Sequence, residues 1–401
     1  MKNYSKITPE GTRDILFEEC LAQREAQRRL SRIFSLRGYH EVLTPGLEYY
    51  DVFSLPGAAL PQQEMYKTTD NHGRLLVVRP DSTLPIARMA ASRLQDSPRP
   101  LRLFYDQHIY RNRPDLSGRS DECAQMGIEL LGAAGLRADL EVISLAVEAL
   151  SACVEDFRVE IGHARLFPAL ANRLSLSPER REELRLAIES KNYGVLSELL
   201  DPLGISPEVE AMKRLPRLFG GEEVLQEAEH WCTDEDSREM LAYLKRLYSA
   251  LKQLGLGDRL MVDLGLVQPN DYYTGAVFSA YVENHGDAIL SGGRYDDLCG
   301  KFGAPMPAVG FAMDLDAAAA LLHDPLVTAE APEALIYGEP GFEIRAQKLA
   351  AKLTAEGKRC EVSIFDTLEE TLSYAGERNI PKVFRVMETT ETWNTGKGER
   401  L

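Results

Sequence analysis

Residues 268–278 combine side-chain types that could recognise a small polar ligand: an acid, Asp271, is followed by two adjacent tyrosines, Tyr272 and Tyr273. If this stretch is a strand, consecutive side chains face opposite ways, so Asp271 and Tyr273 share one face and Tyr272 lies on the other. One face would then line a small polar pocket. The alternative is an edge strand with amphipathic tyrosines, because tyrosine is an ordinary strand residue.

A second polar face is predicted along residues 124–132, which alternate as in a strand. The apolar residues of this segment point one way, namely Met126, Ile128 and Leu130. Gln125 and Glu129 point the other way, and Gly127 between them leaves open space. This face is either the floor of a binding pocket with an acceptor at each end, or a sheet surface exposed to solvent.

Two adjacent glycines, Gly292 and Gly293, lie in a further predicted strand. Glycine in a strand marks a place where the backbone passes close to something. We expect either a ligand or a neighbouring strand there.

The elements that must position these residues alternate between helical and extended patterns, which predicts an α+β domain. A long helix with Asp14 near its cap is expected to end at Gly38, followed by a strand at 39–45. Residues from about 165 to 256 are almost wholly helical in pattern and predict an insertion in the sheet domain. The other predicted strands are 74–78, 101–111, 157–162, 259–264 and 307–312, and the other helices are 84–91, 138–153 and 314–322.

The composition changes after Pro325, and residues 330–401 predict a small β-α-β-α-β unit with a parallel sheet. The last dozen residues are polar, and we expect them to be frayed.

The charge balance bears on the class of partner. The 401 residues include 62 acids against 46 basic residues, a net charge of −16, which disfavours nucleic acid as the main partner. The six cysteines have no metal-site spacing, and no apolar run approaches the roughly 18 residues of a membrane span. We therefore expect a cytoplasmic protein with reduced cysteines.

Several segments, in this order, resemble the core of class II aminoacyl-tRNA synthetases, and specifically histidyl-tRNA synthetase. The segments are Gly11–Asp14, the helix with Gly38 and Pro45, Arg79–Thr83, the strands around Arg111 and Arg119, Asp271–Gly275, Gly292–Asp296 and Pro307–Ala312. The resemblance implies a mixed, mainly antiparallel sheet flanked by helices in residues 1–325. It further implies that residues 330–401 are a truncated, acidic counterpart of that family's anticodon-binding domain.

The resemblance also implies a histidine site. The α-ammonium would be held at Asp81 and Thr83 with help from Gln125, and the imidazole at Glu129 and Tyr273. These choices suit a ligand with an ammonium and a ring N–H, since both need acceptors. The full set of expected histidine-binding residues is Asp81, Thr83, Arg111, Arg119, Gln125, Glu129, Tyr272 and Tyr273.

The positions that serve adenylation in the family differ here. Its catalytic arginine corresponds to Gln268, and the arginine that clamps the ATP phosphates corresponds to Ala317. A glutamine cannot neutralise charge developing on a phosphate. The adenine-stacking aromatic corresponds to Cys123, and an acid of motif 2 corresponds to Arg113. We therefore predict no catalytic residues and no amino-acid activation.

A retained histidine pocket, lost ATP arginines and a shortened tail together resemble the regulatory subunits of ATP phosphoribosyltransferase. That resemblance implies a non-catalytic chain that binds the short-form catalytic subunit and takes part in histidine feedback inhibition of histidine biosynthesis. It also implies homodimers within a hetero-octamer, with no cofactor, no metal, no tRNA and no membrane among its partners. The alternatives are an active histidyl-tRNA synthetase and a free-standing histidine-binding sensor.

Overall fold

The computed structural model describes residues 4–113, 120–267, 272–283, 285–322, 331–395 and 399–400. The chain divides into two compact units, Met1–Val327 and Thr328–Leu401. The strands are β1 (His40–Glu41), β2 (Leu47–Tyr49), β3 (Lys67–Thr69), β4 (Leu75–Val78), β5 (Leu101–Tyr110), β6 (Glu122–Leu131), β7 (Arg158–His163), β8 (Phe219–Gly220), β9 (Leu260–Asp263), β10 (Ala276–Tyr281), β11 (Leu290–Arg294), β12 (Ala308–Asp314), β13 (Ala334–Gly338), β14 (Cys360–Val362), β15 (Lys382–Val386), β16 (Thr390–Asn394) and β17 (Glu399–Arg400).

The helices follow the same chain order. They are α1 (Phe17–Leu36), α2 (Thr83–Ser92), α3 (Leu136–Ser151), α4 (Leu166–Ala171), α5 (Pro178–Glu189), α6 (Tyr193–Leu200), α7 (Pro207–Arg214), α8 (Glu222–Trp231), α9 (Glu235–Gln253), α10 (Leu315–Ala320), α11 (Glu343–Ala355) and α12 (Leu368–Glu377). None of the helices in the described ranges is both long enough and apolar enough to cross a membrane.

The first unit is built on a nine-stranded sheet with the order β1-β5-β6-β12-β11-β10-β7-β9-β8. Only β1 with β5 and β7 with β9 pair in parallel; the other neighbours are antiparallel. The predicted mixed, mainly antiparallel sheet is confirmed. A small separate sheet has the order β2-β4-β3.

The core lies on the face of β6 and β12 that turns toward α1 and α3. Met126, Ile128 and Leu130 are buried there, as the alternation predicts. Phe34 of α1 packs its ring 5.7 Å from that of Phe104 and 6.0 Å from that of Phe311. The opposite face of these strands is therefore left for polar side chains.

The ends of α1 and the strand after it differ from the prediction. The helix begins at Phe17, and its N-cap residue is Leu16, which makes no side-chain cap, rather than Asp14. Gly38 follows the helix with a φ of +82°, a conformation that favours glycine. Of the predicted strand 39–45, only His40 and Glu41 pair with β5 and form a strand.

The insertion contains α4 to α9, so the helical prediction for residues 165–256 is largely right. It misses β8, a two-residue strand that pairs antiparallel with β9. A strand this short carries no alternation that a sequence pattern could reveal.

The second unit has a five-stranded sheet with the order β14-β13-β15-β16-β17. The first three strands are parallel, matching the predicted β-α-β-α-β pattern. The prediction that the last dozen residues are frayed is wrong for 390–394 and 399–400, because β16 pairs antiparallel with β15 and with β17. Residues 396–398 and 401 lie outside the described residues. Trp393 of β16 packs, partly buried, against the apolar cluster that contains Leu335 and Val383.

Candidate functional site

A cavity of about 240 Å³ lies over the polar face of β6 and β12. Its lining includes every predicted histidine-binding residue that the structure describes: Asp81, Thr83, Arg111, Gln125, Glu129, Tyr272 and Tyr273. Arg119 and Gln268 lie outside the described residues, as does Asp271. Residues from separate segments of the chain therefore meet in one place.

Glu129 forms the floor of this cavity and is only 1% exposed. The Thr83 hydroxyl donates a hydrogen bond of 2.8 Å to its Oε1, and the Tyr295 hydroxyl donates one to its Oε2. Burial raises the pKa of the Glu129 carboxyl to about 8, although the two hydroxyl donors oppose this rise. Removing a carboxylate from water favours its neutral form.

Gly310 on β12 makes room for that carboxyl group. It is the register partner of Glu129, and a Cβ at this position would lie 1.9 Å from Glu129 Oε2. It would also lie 2.4 Å from the main-chain oxygen of Ile128, which cannot move aside easily. Any larger residue at position 310 would therefore displace the Glu129 side chain.

Asp81 is the second buried acid of the cavity, in the segment between β4 and α2. Its Oδ1 accepts a hydrogen bond of 2.9 Å from the main-chain N–H of Leu84, at the start of α2. Burial raises its pKa, and the positive charge of Arg111, 4.0 Å from Oδ2, opposes the rise. Arg111 itself is held by a 2.9 Å bond from its Nε to the carbonyl oxygen of Pro80.

Gln125 is oriented by a residue that the sequence did not single out. The hydroxyl of Tyr105, on β5, donates a 3.1 Å hydrogen bond to Gln125 Oε1. Tyr105 is fully buried. The amide of Gln125 therefore presents a fixed edge to the cavity.

Tyr272 and Tyr273 do not lie in a strand, because β10 begins only at Ala276. The predicted alternation of their side chains is therefore wrong. Both rings line the cavity, with centroids 4.9 Å apart. The chain turns before β10, so adjacent residues reach the same space.

Gly292 of β11 lies close to a neighbouring strand, one of the two alternatives that the sequence left open, because a Cβ there would lie 2.5 Å from the main-chain oxygen of Gly310 on β12. The two glycines also make room for aromatic side chains. A Cβ on Gly293 would lie 2.8 Å from the Tyr273 ring, and one on Gly292 would lie 2.5 Å from the Phe278 ring. The absence of side chains thus lets Tyr273 approach the sheet.

Tyr295 is a cavity residue to which the sequence assigned no role. It follows the last residue of β11, and its ring meets that of Tyr272 edge-on, with centroids 5.9 Å apart. The sequence feature that could have identified Tyr295 as a site residue is its place in the Gly-Gly-Arg-Tyr-Asp segment. Strand alternation could not assign it because the strand ends at Arg294.

A larger cavity of about 810 Å³ adjoins the first and shares six lining residues with it: Arg111, Arg113, Cys123, Ala288, Ser291 and Asp314. Its described lining carries more acids than bases. The acids are Glu122, Glu160, Glu189, Asp263, Asp287, Asp314 and Asp316, and the bases are Arg111, Arg113 and Lys191. Such a surface is unfavourable for a polyphosphate.

Three potential metal ligands, Cys123, Asp314 and Asp316, come together at the edge of this larger cavity. The carboxylates already accept hydrogen bonds of 2.9 Å from the N–H groups of Ala317 and Ala124. Burial raises the pKa of the Cys123 thiol, and the two aspartates raise it further. Because metals bind the thiolate, these contacts favour a structural role for the cluster.

Comparison with known proteins agrees with this architecture. The histidyl-tRNA synthetase family profile matches residues 11–318. An ATP phosphoribosyltransferase regulatory subunit from Clostridium acetobutylicum is 40% identical over 397 residues, 96% of each chain. One from Clostridium kluyveri is 38% identical over 387 residues, 95% of this chain and 99% of its own.

A solved structure supports the same assignment. The crystal structure of an ATP phosphoribosyltransferase regulatory subunit/histidyl-tRNA synthetase from Bacillus halodurans matches with a TM-score of 0.84 at 31% identity. The match covers 96% of this chain and 99% of that one. The predicted resemblance and the class II synthetase-like fold are confirmed. The chain belongs to the family of ATP phosphoribosyltransferase regulatory subunits, which share their core with histidyl-tRNA synthetases.

Proposed function

We propose that this chain is the non-catalytic regulatory subunit of ATP phosphoribosyltransferase and that it binds histidine in the 240 Å³ cavity. Histidine bound there takes part in feedback inhibition of the first step of histidine biosynthesis. The partner is the short-form catalytic subunit, in a cytoplasmic hetero-octamer that contains homodimers of this chain, without tRNA. Family membership supports the regulatory role, and the grouping of Asp81, Thr83 and Glu129 in one cavity carries the choice of ligand.

The size of the cavity favours an amino acid. Pockets for drug-sized ligands measure about 300–1,000 Å³. At about 240 Å³ this cavity lies just below that range, which suits one small polar molecule better than a nucleotide.

The polar groups of the cavity complement histidine at three points. Asp81 and the Gln125 carbonyl oxygen offer acceptors to an α-ammonium group, and the Arg111 guanidinium offers donors to an α-carboxylate. Glu129, which accepts a hydrogen bond from Thr83, offers a carboxyl group to the ring. Tyr272 and Tyr273 supply aromatic surface against which an imidazole can pack.

A histidine-binding test follows from the burial of Glu129. Truncation in Glu129→Ala removes a hydrogen-bonding group and leaves its partners unsatisfied, at a cost of about 1–3 kcal/mol. We expect histidine binding to weaken by at least about tenfold in calorimetric titration of the isolated chain. Glu198→Ala, on the exposed surface of α6, is the matched control and should bind as the wild type does.

The same variant tests regulation in the reconstituted complex with the short-form catalytic subunit. Glu129→Ala should require correspondingly more histidine for inhibition. Unchanged inhibition would mean that the inhibitory site lies elsewhere. Co-purification of a short-form catalytic subunit with the tagged chain from a cell extract tests the partnership itself, and its failure would favour the free-standing sensor.

A further inference from the structure

Glu129 is a buried acid whose hydrogen-bond donors are uncharged. Its two carboxyl oxygens accept from the Thr83 and Tyr295 hydroxyls. A buried carboxylate is costly unless a cation or several donors compensate its charge. Two hydroxyl groups supply hydrogen bonds but no positive charge.

Arg111 and Arg113 line the same cavity, but neither hydrogen-bond partner of Glu129 is a cation, and neither arginine is among the groups that shift its pKa. The titratable and polar groups that act on it come from four segments, and on β12 its register partner is Gly310, while Asp314 lines the cavity further along the strand. They are Asp81 and Thr83 before and at the start of α2, Tyr105 on β5, Tyr272 before β10, and Tyr295 and Cys299 after β11. Arg111 instead contacts Asp81 and the Pro80 carbonyl oxygen.

Burial and uncharged hydrogen-bond partners therefore favour the protonated form of Glu129 in the free cavity. Burial raises the pKa of this carboxyl to about 8, and the charge of Asp81 contributes to the rise. The imidazole of free histidine has a pKa near 6.5 and is mainly neutral at the same pH. A protonated carboxyl and a neutral ring nitrogen match as donor and acceptor.

We propose that Glu129 and the imidazole of bound histidine hold one proton between them, so that histidine affinity is greatest near neutral pH and falls on both sides. The inference rests on the proposed function, because it concerns histidine in this cavity. The shared proton lies on the Glu129 carboxyl or on the facing ring nitrogen. Either arrangement leaves the pair with no net charge at a position where both hydrogen-bond partners of Glu129 are uncharged hydroxyl groups.

The sign of the pH dependence follows on each side. Above about pH 8, Glu129 of the free protein is ionised, and the complex must take up a proton to form. Below about pH 6.5, the free ring carries its own proton, and the complex must release one. One linked proton changes the affinity by about tenfold per pH unit.

The test compares the wild type with Glu129→Gln by calorimetric titration of histidine from pH 5.5 to 9.5. Each pH is measured in two buffers of different ionisation enthalpy, which gives the number of protons exchanged. Glutamine resembles the protonated acid and cannot ionise. Because the α-amino group of histidine titrates with both proteins, the ratio of their affinities isolates Glu129.

At pH 9 we expect the wild type to take up about one proton more than Glu129→Gln and to lose about fivefold in relative affinity between pH 8 and 9. Tyr295→Phe removes a hydrogen-bond donor that lowers the Glu129 pKa. The loss of histidine affinity at alkaline pH should therefore begin at a higher pH in this variant than in the wild type. That shift provides a second test if the glutamine variant fails to fold.

The outcomes separate the two proposals. Histidine binding with the same pH profile in the wild type and both variants would overturn the shared proton while leaving the proposed function standing. No histidine binding by the folded wild type at any pH would overturn the proposed function, and the shared proton with it.

Discussion

The purified chain is expected to exchange pyrophosphate into ATP in the presence of histidine at least about 10⁴-fold more slowly than a histidyl-tRNA synthetase does. Removing a single group that stabilises transition-state charge costs about 10²–10³ in rate. The resemblance to histidyl-tRNA synthetase implies that two such groups, both arginines, are replaced here, at Gln268 and Ala317. Radiolabelled pyrophosphate exchange measures this rate directly.

The environment of Ala317 strengthens this expectation. Its N–H donates to Asp314 at the start of α10, and Asp316 follows within the same turn. Two carboxylates thus stand near the position where an arginine would clamp phosphate. Introducing arginine at both 268 and 317 should therefore leave exchange far below the synthetase rate.

A histidyl-tRNA synthetase assayed under the same conditions is the positive control. Exchange by the wild-type chain at a comparable rate would contradict its non-catalytic role. That result would favour the synthetase alternative, with unidentified groups replacing the two arginines.

The substitution Arg294→Met is expected to lower the free energy of unfolding by about 3–5 kcal/mol, because it strands a buried acid. Arg294 is 6% exposed and forms an ion pair with the fully buried Asp139 of α3. A second guanidinium nitrogen of Arg294 donates a hydrogen bond of 2.9 Å to Asp296. Tyr243 of α9 donates to the same Asp139, so the pair joins the sheet to the helical insertion.

Urea-induced unfolding followed by circular dichroism measures this effect. Arg165→Met is the matched control, since its 3.5 Å pair with Asp297 is exposed and such pairs contribute about 0–1 kcal/mol. Adding Asp139→Leu to Arg294→Met should recover part of the loss by removing the unpaired charge. If the single Arg294 variant unfolds at the same urea concentration as the control, the buried pair is not a major source of stability.

The alternation of β6 is the part of the site that the sequence predicts best. Gln125 and Glu129 share a face because a strand fixes the side of each residue, and both line the cavity. Tyr272 and Tyr273 escape this rule, since they lie in a turn whose shape depends on contacts with the sheet. Their meeting in one cavity could be expected only from resemblance.

The supporting hydroxyls were not predictable from local patterns. Tyr105 reads as an ordinary buried strand residue until β5 is paired with β6, and Tyr295 lies just past a strand end. In the second unit, the sequence did not predict β16, because its composition is polar. It forms because β15 offers an unpaired edge and Trp393 covers apolar surface.

The pairing of Glu129 with Gly310 ties the chemistry of the cavity to the packing of the core. A slip of β6 by one residue would turn every side chain over, placing Leu130 in the cavity and Glu129 against α1 and α3. Selection for a well-packed core therefore also preserves the ligand-facing residues. Ligand preference on these strands can change by substitution at individual positions, but not by sliding one strand against the other.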